Sequence, residues 1–168
     1  MGSPNHFVGD LHDVVALVLH TVVGTIGSCD SRFTDPASQV SAHYCVGLDG
    51  TIHQYVDEVI GNGAWANGVL EPGNRWEPLF GSENPNHRTI SVETEDNGHP
   101  VTEPVTEAQF DAVAALFRTV IQPVWPSITH LVAHCAISPQ TRTCPASRWL
   151  DTGRFAELAA TLGLTPLE

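Results

Sequence analysis

Apolar residues run almost without a break from 14 to 20 (VVALVLH), the pattern of a strand covered on both faces. A Gly/Ser/Asp-rich stretch follows and reads as a loop. Asp35-Pro36 then supplies an N-cap and a first-turn proline for a short helix. SAHYCVG and TIHQYV flank an Asp49-Gly50 turn and predict a hairpin over 41–56. Residues 61–88 are rich in Gly, Asn, Pro and Trp and read as long surface loops. TISVETE (89–95) alternates and reads as a further strand.

The clearest helix starts at Thr106, which forms a capping box with Gln109. Phe110, Val113, Ala114, Phe117, Val120, Ile121 and Val124 make its apolar stripe, and Pro123 should stop it. THLVAH (129–134) is a short buried strand. A last helix near 152–162 places Phe155, Leu158, Ala159 and Leu162 on one face before Gly163. There are no repeats and no linker. The expected fold is α/β, one domain over 1–168, with a central mixed β-sheet flanked by α-helices and residues 1–12 as an extended arm.

Composition changes this picture little. A chain of 168 residues, 42% hydrophobic and 15% charged, suits one globular domain. No apolar run reaches the roughly 20 residues that span a bilayer. MGSPNHFVGD shows no signal peptide, which leaves two settings open: the cytoplasm with release at lysis, or action outside the cell on its wall. Seven basic and nineteen acidic residues give a net charge of -12, and every basic residue is Arg. That charge repels phosphate and argues against nucleic acid or an anionic membrane as partner. It also serves solubility. Cys29, Cys45, Cys135 and Cys144 form no CxxC pair, and the spacing selects no disulfide.

The chemistry lies elsewhere. His20 and His134 each close an apolar strand, and strand carboxyl ends are where open α/β sheets collect ligand-binding residues. Cys144 lies in a turn ten residues beyond His134. Two imidazoles and one thiolate leave zinc a free position, an arrangement for catalysis rather than for structure. The competing pair, His130 and His134, has the HxxxH spacing, but Leu131 stands where a zinc protease carries Glu. On a strand the two lie about 13 Å apart, too far to share one ion, so His130 reads as a surface or satisfied histidine.

With these residues in view, the chain resembles the zinc-dependent N-acetylmuramoyl-L-alanine amidases, whose relatives include phage lysozyme-like amidases and peptidoglycan recognition proteins. LVLHT (17–21) resembles the strand of the first ligand, and SAHYCVGLDGTIHQYV (41–56) the family hairpin. GAWANG (63–68) resembles the family's Ala-Trp-His-Ala-Gly stretch, and NHRTISVETE (86–95) its Ser-Ile-Gly-Ile-Glu strand. AHCAISPQTRTCPA (133–146) resembles the block carrying the last two ligands.

The resemblance implies zinc on His20, His134 and Cys144. It implies Glu93 as the carboxylate that activates water, with Glu95 on the same strand face as the competing carboxylate. Arg142 falls where many members have Lys, facing the oxyanion, and Trp65 and Asn67 fall on a wall of the substrate groove. The implied reaction is hydrolysis of the amide between N-acetylmuramic acid and L-alanine of the stem peptide, in peptidoglycan or a muropeptide, by a monomer. Only about twenty residues separate His20 from the hairpin, which favours an endolysin- or autolysin-like enzyme over the recycling branch. The alternative is a non-catalytic peptidoglycan-binding module with a structural zinc.

Several positions depart from the family pattern. Ser91 replaces a Gly, and Ala66 removes a substrate-facing imidazole. Ala42 replaces the phage-type tyrosine, so no tyrosine takes a catalytic part. Ala136 stands where the recycling branch often has Asp, removing one hydrogen bond behind the metal site. His43 shares a strand face with Cys45 and reads as a structural group, because a fourth ligand would close the site.

Overall fold

Alternation along β2 (Ala16–Val22) decides the layering of the molecule: Leu17 and Leu19 point to one side, Ala16, Val18 and His20 to the other. The computed structural model describes residues 2–70, 73–74, 76–81, 83–97 and 103–168. In it β2 is flanked in parallel by β6 (Thr89–Glu95) and β7 (His130–Ala133). Outside them lie β3 (Tyr44–Val46), parallel to β6, and β8 (Thr165–Leu167), parallel to β7. β4 (Ile52–Gln54) pairs antiparallel with β3 at the edge, giving a mixed six-stranded sheet in the order β4-β3-β6-β2-β7-β8.

The larger core lies on the Leu17/Leu19 face. There α3 (Glu107–Leu116) and α7 (Arg154–Leu162) bury Phe110, Val113, Phe155 and Leu158 against Ile90 and Val92. Each such side chain contributes about 1.5–3 kcal/mol by burial. Thr106 caps α3 by accepting from the Gln109 amide, but the Gln109 side chain does not return to the cap. Fully buried, it donates to the carbonyls of Val46 and Glu95 and ties the helix to the sheet.

Several expectations are corrected. TISVETE forms the expected strand, but despite its alternation it sits inside the sheet, so six of its seven residues are buried. Helix α3 runs into a π-helical turn (Phe117–Ile121) and then α4 (Gln122–Val124), so Pro123 sits within its last turn. The wider turn rotates Val120 and Val124 off the apolar stripe, leaving them 39% and 37% exposed.

The stretch after β2 holds α1 (Ile26–Thr34), capped by Thr25, ahead of the expected short turn at Pro36–Ser38. Residues 61–88 are not all loop; they include β5 (Gly63–Ala64) and α2 (Glu77–Phe80), while 71–72, 75 and 82 lie outside the described residues. The N-terminal segment is tied down, with β1 (His6–Phe7) pairing antiparallel with β5 and Asn5 donating to the Asp35 carbonyl. α5 (His134–Ile137) follows β7 directly, and α6 (Ala146–Trp149) precedes α7.

His43 is fully buried between main-chain groups: one ring nitrogen meets the Asn62 carbonyl at 3.1 Å and the other accepts from the Ser91 amide at 3.0 Å. Burial holds its pKa down at about 4, against about 6.5 in an unfolded chain. The unfolded state therefore binds the extra proton first as pH falls. The stability His43 contributes is complete above pH 6.5 and declines towards pH 4, by roughly 3 kcal/mol in all. Urea titrations from pH 7.5 to 4.5 should show this acid-side decline, and His43→Asn should flatten it.

Candidate metal centre

His20 is the fifth of the seven residues of β2, so the strand continues past it; His134 is the first residue of α5, one step beyond β7. Because β2 and β7 are neighbours, the two rings meet, with centroids 4.2 Å apart. Residues 138–144 leave α5 and return through the Cys135 amide, which donates to the Cys144 carbonyl at 2.9 Å. Thr21 on β2 clamps the end of this excursion by donating its hydroxyl to the Pro145 carbonyl at 2.9 Å. The result places Cys144 Sγ 3.1 Å from His134 Nδ1. One donor atom from each of His20, His134 and Cys144 lies within 4.8 Å of the others.

Register supplies the carboxylate. Glu93 pairs with His20 across β2 and β6, which sets Glu93 Oε1 3.9 Å from His20 Nδ1. Its other oxygen, Oε2, is buried without a hydrogen-bond partner among the described residues. Glu95 lies on the same strand face but is committed elsewhere, accepting from the Leu48 amide in the hairpin turn. Burial pushes the Glu93 carboxyl up to about 8, opposed by the charge of Arg142.

Burial also lowers His20 well below the usual imidazole range and His134 to about 4, so both rings are neutral near pH 7. It raises the Cys144 thiol to about 11, with Glu93 adding to the rise. Neutral imidazoles and an ionisable thiol are a donor set for zinc, and three protein donors leave coordination positions open. The residues fit the ion.

A cavity of about 250 Å³ opens here, lined by His20, Glu93, His134, Arg142, Cys144 and Trp65 among others. Val22, Arg32 and Phe33 line it too, and also line a second cavity of about 600 Å³ alongside α1. The indole nitrogen of Trp65 is buried and without a partner among the described residues. Asn67 is not on this wall. It is 1% exposed and turned towards the backs of the two histidines, its side-chain oxygen 3.0 Å from His20 Nε2. The arrangement places a buried carboxyl, three candidate metal donors and an arginine around one small cleft, which suits hydrolysis of a carbonyl compound.

The profile of the N-acetylmuramoyl-L-alanine amidase family matches residues 10–147. The chain belongs to that family. It is 34% identical over 123 residues to the 1,6-anhydro-N-acetylmuramyl-L-alanine amidase AmpD of Salmonella typhimurium, a match covering 73% of this chain and 58% of that protein. The AmpD of Escherichia coli K12 is 32% identical over 123 residues, covering 73% and 60%. The chain thus spans less than two thirds of these relatives' length.

Among solved structures, a selenomethionine AmpD superposes with a TM-score of 0.72 at 28% identity, covering 94% of this chain and 92% of that one. The Escherichia coli amidase AmiD, complexed with anhydro-N-acetylmuramic acid-L-Ala-D-gamma-Glu-L-Lys, superposes with a TM-score of 0.70 at 25% identity. It covers 92% of this chain and 59% of that one. The endolysin LysCS of Clostridium intestinale shares the fold with a TM-score of 0.60 at 20% identity, covering 98% and 92%.

Within this amidase fold the chain's own choices stand out. Both tyrosines are occupied away from the cleft, Tyr44 with Glu58 and Tyr55 with Asp30. His130, at the start of β7, meets the Thr129 hydroxyl and not the cluster. Arg32 was invisible to motif reading. Of the six described arginines, Arg88, Arg118, Arg148 and Arg154 are bonded to carbonyls or carboxylates. Arg32 and Arg142 have no such partner among the described residues, and both line the cleft. In a chain of net charge -12, two arginines without a carbonyl or carboxylate partner among the described residues make this opening locally positive.

Proposed function

We propose that this chain is a zinc-dependent amidase that hydrolyses the amide between N-acetylmuramic acid and L-alanine of the stem peptide, acting on peptidoglycan or muropeptides as a monomer. The observation that carries it is the open three-donor cluster with an unpartnered Glu93 oxygen in the same cleft. Zinc held by His20, His134 and Cys144 would supply Lewis acidity and lower the pKa of water in the cleft. Glu93 takes the proton from the attacking water at its carboxylate and returns it to the leaving nitrogen. The carbonyl–nitrogen bond breaks, leaving a lactyl carboxylate and a free L-alanine amino terminus. Arg142, always charged, faces the oxyanion and holds no transferable proton.

Trp65 walls the cleft where the substrate lies. Arg32 pairs with a carboxylate of the stem peptide, because that peptide, unlike the sugar, carries free carboxylates. Arg32→Gln should raise KM for a muropeptide about fivefold with little change in kcat. Amidating the stem carboxylates should shrink the difference, which steady-state kinetics on paired substrates will measure.

Digestion tests the reaction itself. Incubation with purified sacculi and with a soluble 1,6-anhydromuropeptide should release new L-alanine amino termini that chelator suppresses. New reducing sugar ends, or no cleavage of either substrate, would sink the proposal. Cleavage of sacculi supports the lytic role, and cleavage of the soluble substrate alone a recycling one.

A further inference from the structure

The hydrogen bonds behind the metal cluster determine where each histidine carries its proton. Thr89, at the start of β6, has one hydroxyl hydrogen and gives it to the Pro85 carbonyl at 2.9 Å, since a carbonyl can only accept. Towards Asn67, 2.7 Å away, the same oxygen can therefore only accept. The Asn67 atom facing it is the NH2 group, which turns the amide oxygen to His20 Nε2 at 3.0 Å. An amide oxygen requires a hydrogen on Nε2, and a neutral ring then keeps its lone pair on Nδ1. The same residue acts a second time. Its main-chain carbonyl lies 3.2 Å from His134 Nε2, which puts that hydrogen on Nε2 as well. Both Nδ1 atoms face the cluster, one beside Glu93 and one beside Cys144.

Asn67 is itself held rigidly. Its amide and that of Ala66 both donate to Asn86 Oδ1, at 2.7 and 3.2 Å. Asn86 belongs to the 3-10 turn Pro85–His87, whose first residue accepts from Thr89, so the loop and the turn form one unit. Asn86 is buried as well.

We infer that Asn67 is a positioning residue that sets the tautomer and orientation of both histidines, with its side chain for His20 and its main chain for His134. The inference rests on the zinc reading for its consequence, though not for its geometry. It also accounts for the tolerance of Ala136: the bond behind His134 comes from the Asn67 carbonyl and needs no side chain at 136. Removing a group that orients metal-binding histidines typically weakens affinity 10- to 100-fold.

The test uses the whole chain with histidine labelled in its ring nitrogens. In metal-free wild-type protein, long-range proton–nitrogen correlations should show His20 and His134 both protonated at Nε2. In Asn67→Ala, His20 should lose that preference while His134 keeps it, because the main-chain carbonyl remains. Zinc affinity, read by competition with a chelating dye, should fall 10- to 100-fold. Asn67→Asp keeps an acceptor towards His20, and the Thr89 hydroxyl can turn from the Pro85 carbonyl to donate to the second carboxylate oxygen, so affinity should recover to within a few-fold.

A wild-type His20 protonated at Nδ1 overturns the inference, as does an Ala variant with unchanged tautomer and affinity, or a loss that Asp does not repair. If the Ala variant fails to fold, the wild-type spectrum and the Asp variant decide. Wild-type protein that binds no zinc would sink the metal reading instead, and the tautomer measurement would stand apart from it.

Discussion

Replacing Glu93 by Ala is expected to leave one zinc per chain in place and to cut turnover by about three orders of magnitude. The two halves of that result separate roles that geometry brings close together. Glu93 Oε1 is 3.9 Å from His20 Nδ1, near enough to act in the site, yet Glu93 is outside the three-donor cluster. Its carboxyl is held at about 8 by burial, so it can take and give a proton near neutral pH. Glu93→Gln, which keeps the shape and loses the base, should be equally inactive. Metal analysis together with single-turnover kinetics checks both variants. Loss of zinc from Glu93→Ala would make Glu93 a ligand and close the site, and full activity would remove it from the mechanism.

Chelation should abolish hydrolysis, and zinc alone should restore it. At zinc concentrations about a thousand times Kd, the ion adds about 4 kcal/mol to folding stability. For a domain of this size that is a Tm shift of about 10 °C. Cys144→Ala should lose most of this shift along with activity, whereas Glu93→Ala should keep it; scanning calorimetry of metal-free and loaded protein distinguishes the two.

The affinity should also depend on pH in a definite direction. The Cys144 thiol is pushed up to about 11, chiefly by burial and then by Glu93, so binding must expel its proton. Affinity therefore falls as pH is lowered through the neutral range. His20 and His134, lowered by burial, are already unprotonated there and add nothing to the slope.

The candidate site residues were readable from the sequence as a set, and what they touch was not. His20 and His134 stood out at the ends of apolar runs and Cys144 in the turn that follows the second; singly each was unremarkable, and only the three together suggested a ligand set. Spacing could not separate Glu93 from Glu95, two residues apart on one strand; only the family resemblance selected Glu93. The register with β2 put Glu93 opposite His20, and the hairpin claimed Glu95. The family resemblance placed Asn67 on the substrate wall, and nothing in the loop's sequence shows which way its side chain turns. Only closure of that loop onto Asn86 turns it inward.

The missed elements have a common cause. α1 (IGSCDSRFT) is poor in strong helix formers and is held by burying Cys29 and Phe33 against the sheet. β8 is three residues long and contains Pro166, tolerable because it forms only at the sheet edge.

The amino-acid sequence by itself determined the α/β class, the hairpin, the two main helices and the three donor side chains, because periodicity and residue chemistry are local properties. Tertiary structure decided which carboxylate stands beside the donors, where only family resemblance had favoured Glu93, which arginines lack an acceptor among the described residues, and which nitrogen each imidazole presents. Those depend on strand register and loop closure, which join residues separated by tens of positions and leave no trace in any short window of the chain.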